Sequence, residues 1–280
     1  MIIAEILSYP FLLRALAVGL LVSVSASLLG VSLVLRRFSM IGDGLSHVGF
    51  GALGIAAFFS LSPMAVTIPV VVASAFLLLH LSSSRKLGGD SAIALLSSAS
   101  LAIGVIAVSV KGVNTDLNAF LFGSILSVSK SDGWISLIVS VITLFSYIVF
   151  YHQIYVTTFD ASFAKATGIK TERYTALLSL MTALVIVVGM RILGSLLISS
   201  LIIFPAAIAM KIGKTYLSVS VISALEAVVA FILGFIASYA FSLPTGASIV
   251  AVHTVFFILA MAGKALRTRL MTLQTKNSVY

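Results

Sequence analysis

The chain has no cysteine among its 280 residues, which excludes a disulfide framework, a thiolate metal site and a cysteine nucleophile together. Charge is almost as scarce. Asp, Glu, Lys and Arg make up 9% of the residues against 60% hydrophobic ones, and mean hydropathy is +1.22. A soluble domain carries roughly 25% charged residues, so this chain lacks the polar surface to cover a water-exposed core. It reads as a polytopic membrane protein. Catalytic signatures are missing too: there is no HExxH and no GxSxG. "KIGKTY", residues 211–216, ends like a phosphate-binding loop, but the glycine required five positions before Gly213 is Ile208, and an apolar helix precedes it instead of a strand. A nucleotide site on this chain is not expected.

What the chain does have is long apolar runs. Stretches of about 20 apolar residues, enough to cross the hydrocarbon layer, fall near 12–35, 40–59, 64–81, 92–110, 134–151, 174–190, 193–210, 217–240 and 246–263. The expected fold is all-α, a transmembrane bundle of about eight to nine spans, because helices satisfy their own backbone polar groups in lipid. The stretch 111–133, containing "DLNAFLFGSILSVSKSD", can also form a short re-entrant or surface helix, which leaves the count open by one. Glu5 precedes the first basic residue, Arg14, and the run that follows is longer than a signal-peptide core, so the first span is expected to remain. With no repeat and no long linker, residues 1–280 are expected to form one transmembrane domain. A polar insertion interrupts it at about 152–173 and a polar tail follows from about 264 to 280.

The net charge of +9 does not indicate nucleic-acid binding, because the cations sit in the gaps between apolar runs. Placing the gaps 36–39, 82–91, 152–173, 211–216 and the tail on one side leaves only Arg14, Lys111, Lys130 and Arg191, of 17 Lys and Arg, on the other or within the spans. The positive-inside rule makes the crowded side cytoplasmic and puts the N-terminus outside. Within the insertion, Asp160 is a plausible N-cap, Ala161 to Thr167 a short helix and Gly168 its stop. Phe159 and Phe163 are expected to share a face, with Lys165 at a basic end. On amphipathicity alone this is a solvated loop helix, the alternative being a docking element for a cytoplasmic partner.

The second span, "RRFSMIGDGLSHVGFGALGIAAFF", carries two residues a bilayer disfavours. An Asp at the centre of a span costs on the order of 2.5–3.5 kcal/mol on insertion scales, so a partner, a proton or a metal has to offset it. Asp43 and His47 are four apart and lie on one helix face, within reach of one ion. Ser46 borders that face as a further oxygen ligand or as an orienting group for the imidazole. Carboxylate with imidazole suits Zn²⁺ or Mn²⁺. Two ligands are too few for a tight structural site, which fits either an ion that must leave or a site completed by a second copy of the chain. The competing reading is an internal Asp to His contact that only stabilises a buried face. Glu226 in the eighth span and His253 in the ninth are reserve metal candidates, although each alone is more often a buried hydrogen-bonded group. His80 and His152 lie at span ends, where interfacial roles are ordinary.

The linked blocks "RRFSMIGDGLSHVGFGAL", "DSAIAL", "FLFGSILSVSKSD", "FDASFAKATGIKTER", "RILGSLLISSLIIFPAAIA" and "LPTGASIV" resemble the permease subunit of bacterial ABC importers for zinc, manganese and iron. The resemblance runs over nearly the whole chain. It implies a multi-pass protein of the bacterial cytoplasmic membrane, surrounded by lipid and acting as a homodimer or beside a close relative. An extracellular metal-binding lipoprotein would feed it and a separate cytoplasmic ATPase, which hydrolyses the ATP, would drive it. No permanently bound cofactor is implied, only the transported Zn²⁺ or Mn²⁺. The Asp and His of the family's "GDxxSH" block match Asp43 and His47, and the polar insertion, with Asp160, Phe163, Lys165 and Gly168, matches the coupling helix that seats in the ATPase. No role carries over to Glu226 or His253. The rival readings are a proton-coupled or channel-like carrier without an ATPase, and an intramembrane hydrolase with Ser46 or Ser195 as nucleophile and His47 or His253 as base.

Overall fold

A computed structural model describes residues 8–83, 89–112, 123 and 130–277. Eleven helices follow in order among them: α1 (Pro10–Leu35), α2 (Ile41–Phe58), α3 (Pro63–Ser83), α4 (Gly89–Lys111), α5 (Lys130–Val149), α6 (Tyr151–Phe159), α7 (Ala161–Ala166), α8 (Thr171–Leu193), α9 (Ser195–Ile212), α10 (Tyr216–Phe241) and α11 (Thr245–Asn277). Eight are long and apolar enough to cross a membrane. A ninth crossing arises when α5 and α6, bent 70° to each other, count as one broken span. Most of the re-entrant candidate at 111–133 lies outside the described residues.

Four helices form the inside of the bundle. The most apolar windows of α1 and α2 are 67% buried, that of α8 is 72% and that of α9 is 56% buried, against 11% for α4 and 22% for α11. With lipid as solvent, apolar residues gain nothing by facing inward, so inner helices are selected by close packing of small residues. The α2 and α4 contact shows this. A Cβ on Gly51 would stand 2.5 Å from the Ser100 carbonyl oxygen, and one on Gly54 would stand 2.7 Å from that of Gly104. Serines do the same between α1 and α10, where buried Ser223 donates to the Ser27 carbonyl at 3.2 Å.

Local signals set the ends. Pro10 opens α1, where its missing N–H costs nothing. Thr215 and Ser218 form a capping box at the start of α10. Between α8 and α9 the chain turns at one residue, Gly194, whose φ of +88° disfavours any side chain.

Helix ends expected on one side do gather there. Arg36, just past α1, donates to Thr175 Oγ1 of α8 at 3.1 Å, and Ser32 of α1 meets Tyr216 of α10. Burial lowers the pKa of the Arg36 guanidinium, yet leaves a base this strong charged. At the other end Lys111 Nζ bonds the Phe58 carbonyl at 2.7 Å and Ser60 Oγ at 2.6 Å, tying α4 to α2.

Four expectations change. Residues 152–159 of the polar insertion belong to the helix α6, whose aromatic positions pack against α5 and α10. Arg191 sits in the last turn of α8, since the break comes later, at Gly194. Past Lys264 the tail continues as helix to Asn277. Finally, Phe159 and Phe163 belong to different helices, separated by Asp160 in extended conformation.

Candidate metal site

Asp43 lies in the first turn of α2, where the helix dipole favours a carboxylate. One turn on, His47 directs Nε2 to Asp43 Oδ2 at 3.5 Å. Two ligands about 2.1 Å from one ion stand roughly 3.0–3.4 Å apart at right or tetrahedral angles, so these atoms need to move very little to share one. The pair is open: the side chains of Asp43 and His47 are 50% and 27% exposed. The other imidazole nitrogen, Nδ1, is buried with no hydrogen-bond partner among the described residues.

The rest of α2 is committed to packing. Gly42 faces Ser199 and Ile202 of α9, Gly44 faces Ile93 of α4, and Gly49 faces Met190 of α8. These glycines press the back of α2 into the bundle and leave the Asp43 and His47 side open. Ser46 is fully buried and donates to its own helix at the Gly42 carbonyl, 2.6 Å away. The structure therefore brings Asp43 and His47 together and turns the Ser46 hydroxyl to the backbone. No cluster of three or more His, Cys, Asp or Glu side chains occurs among the described residues, so the pair supplies at most a partial coordination sphere.

Glu226 and His253 form a separate pair. They join α10 to α11 through a 2.9 Å contact between Oε1 and Nδ1, with His253 0% and Glu226 8% exposed. Phe204 of α9 stacks on the imidazole at 6.0 Å. The sequence offers each residue alone, and their contact spans 27 positions, beyond the reach of helical spacing.

The insertion forms the expected small helix. Asp160 Oδ1 accepts from the backbone N–H of Ser162 and of Phe163, both at 2.9 Å. Gly168, at φ +85°, ends the turn. On α7, Phe163 is 59% exposed and Ala164 is buried. Lys165 forms an exposed ion pair with Glu172 at the start of α8.

These features define a class: a multi-helix membrane protein with a half-open carboxylate and imidazole pair at one helix end and a short capped helix at an exposed corner. Residues 8–264 match the ABC 3 transport family, and the chain belongs to it. Over 257 residues it is 31% identical to the manganese transport system membrane protein MntC of Halalkalibacterium halodurans, covering 91% of this chain and 88% of that one. It is 28% identical to the high-affinity zinc uptake system membrane protein ZnuB of Haemophilus influenzae, covering 90% and 97%. Among solved structures it superposes on PsaBC from Streptococcus pneumoniae, in complex with Fab, with a TM-score of 0.81 at 30% identity, covering 92% of this chain and 95% of that one.

Proposed function

We propose that this chain is the membrane permease of an ATP-driven importer of a divalent transition-metal ion in the bacterial cytoplasmic membrane, and that the ion passes between Asp43 and His47. The observation that carries this reading is the open 3.5 Å pair on a helix whose other faces are packed against α4, α8 and α9. A hydrated ion arriving from a binding lipoprotein would exchange water for the carboxylate and the imidazole. A second copy of the chain, facing the first, would supply the missing ligands. Release follows when a cytoplasmic ATPase, docked on α7 through Phe163 and the Lys165 end, re-packs the bundle.

Manganese and zinc both fit as the transported ion. The relatives named above act on one or the other, imidazole favours zinc, and carboxylate also suits Mn²⁺. The hydrolase reading loses its support at Ser46, whose hydroxyl donates to the Gly42 carbonyl and is therefore not activated by His47. Membership of an ABC transport family weighs against a carrier that works without an ATPase.

The test is uptake of Zn²⁺ and of Mn²⁺, each alone and in competition, by vesicles holding the permease with its ATPase and binding protein. Asp43→Asn and His47→Ala should each abolish uptake while the chain still reaches the membrane. Wild-type rates in both variants would remove this pair from the pathway.

A further inference from the structure

Where α1, α5, α6 and α10 meet, hydroxyls and aromatic rings form a cluster that neither the metal site nor the exposed face of α7 uses. Its centre is Tyr216, the first residue of α10. The Tyr216 hydroxyl hydrogen-bonds Ser32 Oγ at 2.6 Å and the Tyr147 hydroxyl at 3.0 Å, and Tyr147 also reaches Ser220 Oγ at 3.4 Å. All four are shielded, with Ser32 0%, Tyr147 and Ser220 3%, and Tyr216 6% exposed. The Tyr216 ring lies 5.5 Å from that of Tyr151, 5.2 Å from Tyr155 and 6.0 Å from Phe159. A sequence signal exists: Tyr147, Tyr151, Tyr155 and Phe159 recur at every fourth position. The break at Phe150 divides the series, leaving Tyr147 on α5 and the other three on α6.

Rings and hydroxyls resist motion differently. Ring contacts are weakly directional and slide at little cost. A buried hydroxyl that loses its partner suffers the full penalty of an unsatisfied polar group. The ring of Tyr216 can therefore follow α6, but its hydroxyl cannot move away without either carrying α1 and α5 along or orphaning Ser32 and leaving Tyr147 only its longer contact to Ser220. Such a joint resists a gradual slide of α10 past α1 and α5.

We propose that Tyr216 is a positioning residue of the transport cycle. Its ring senses where α6 lies, and with it α7, which begins immediately after Asp160. Its hydroxyl passes that displacement to α1 through Ser32 and to α5 through Tyr147. From α1 the contacts continue to α9, and α9 meets α2 where Ser199 and Ile202 face Gly42, next to Asp43. The proposal rests on the reading of α7 as the ATPase docking element.

The experiment uses the complete reconstituted transporter with ATPase and binding protein, and compares wild type with Tyr216→Phe, which keeps the ring and removes the hydroxyl. Ions transported per ATP hydrolysed, stimulation of ATP hydrolysis by metal-loaded binding protein, and melting temperature are measured together. The expected result is that the ATPase stays bound while ions per ATP fall about fivefold, the lower end of usual coupling factors. Ser32→Ala, which cuts only the arm to α1, should give part of that loss, and the double variant no more than Tyr216→Phe, because that substitution already removes the Ser32 contact. A role in stability alone lowers the melting temperature and leaves the ratio unchanged, and that outcome overturns the proposal, as do losses that multiply in the double variant. Lys165→Glu separates the two readings. If it leaves ATPase docking intact, the docking assignment and the relay fall together. If it detaches the ATPase while Tyr216→Phe retains the wild-type ratio, only the relay falls.

Discussion

Asp43 with His47 and Glu226 with His253 are carboxylate and histidine pairs on the membrane helices, and they are built in opposite ways. Asp43 and His47 share one helix, stand 3.5 Å apart and are 50% and 27% exposed. Glu226 and His253 come from two helices, approach to 2.9 Å and are 8% and 0% exposed. The same two chemical groups thus differ in spacing and in access. A loose, accessible pair can trade water for an ion and give it up again. A tight, enclosed pair holds α10 to α11, and Phe204 covers the imidazole. Ionisable residues inside spans are commonly functional, but the difference in access decides which pair is the transport candidate.

The largest effect should come from opening the closed pair. Glu226→Ala leaves the buried Nδ1 of His253 without its partner, a loss of about 1–3 kcal/mol for an unsatisfied buried polar group, and should appear as poor yield and a lower melting temperature in detergent. Asp43→Ala should melt like wild type, since half-exposed Asp43 is solvated anyway. Equal losses from the two variants would erase the distinction between them.

Next in size is the response to acid. A protonated imidazole cannot bind a metal ion, so uptake through the open pair should fall as pH drops, while a His47→Asp variant keeps a ligand without that nitrogen. The measurement is reconstituted uptake from mildly acidic to neutral pH for both proteins. An active His47→Asp variant with the same acid loss as wild type would move the titrating group elsewhere.

A milder change sharpens the closed pair. Glu226→Gln keeps an acceptor for His253 Nδ1 and loses only the charge assistance, so stability should fall by about 1 kcal/mol, short of the alanine variant, by thermal or denaturant melting. The smallest effect belongs to a third, solvent-exposed pair. Glu172→Gln removes the partner of Lys165, and melting should not change measurably because water screens both charges.

Much of this was legible in the chain. Apolar runs separated by cations gave the spans and their common side, and helix ends from different runs do meet there through Arg36 and Thr175. Asp160 and Gly168 marked both ends of α7, because an N-cap carboxylate and a positive-φ glycine act within a few residues. The spacing of Asp43 and His47 already put them on one face. Other features were not legible. The apolar side of α6 was hidden in a segment polar enough to read as a loop. Arg191 suggested an interruption that the backbone delays to Gly194. Ser46, next to the pair in sequence, spends its hydroxyl on the Gly42 carbonyl.

The sequence by itself determined that the chain is a membrane bundle, roughly where its spans lie, both ends of α7, and which two ligands stand one turn apart on α2, because hydropathy, capping and helical periodicity operate over a turn or a single span. Only the tertiary structure decided that Glu226 meets His253 across 27 positions, that Tyr216 joins three other helices, and that the glycines of α2 face inward and leave Asp43 open. Those outcomes depend on which helix faces touch. In lipid, where apolar residues are content on either side, that choice is made by the fit of small residues and by pairing of buried polar groups between distant parts of the chain.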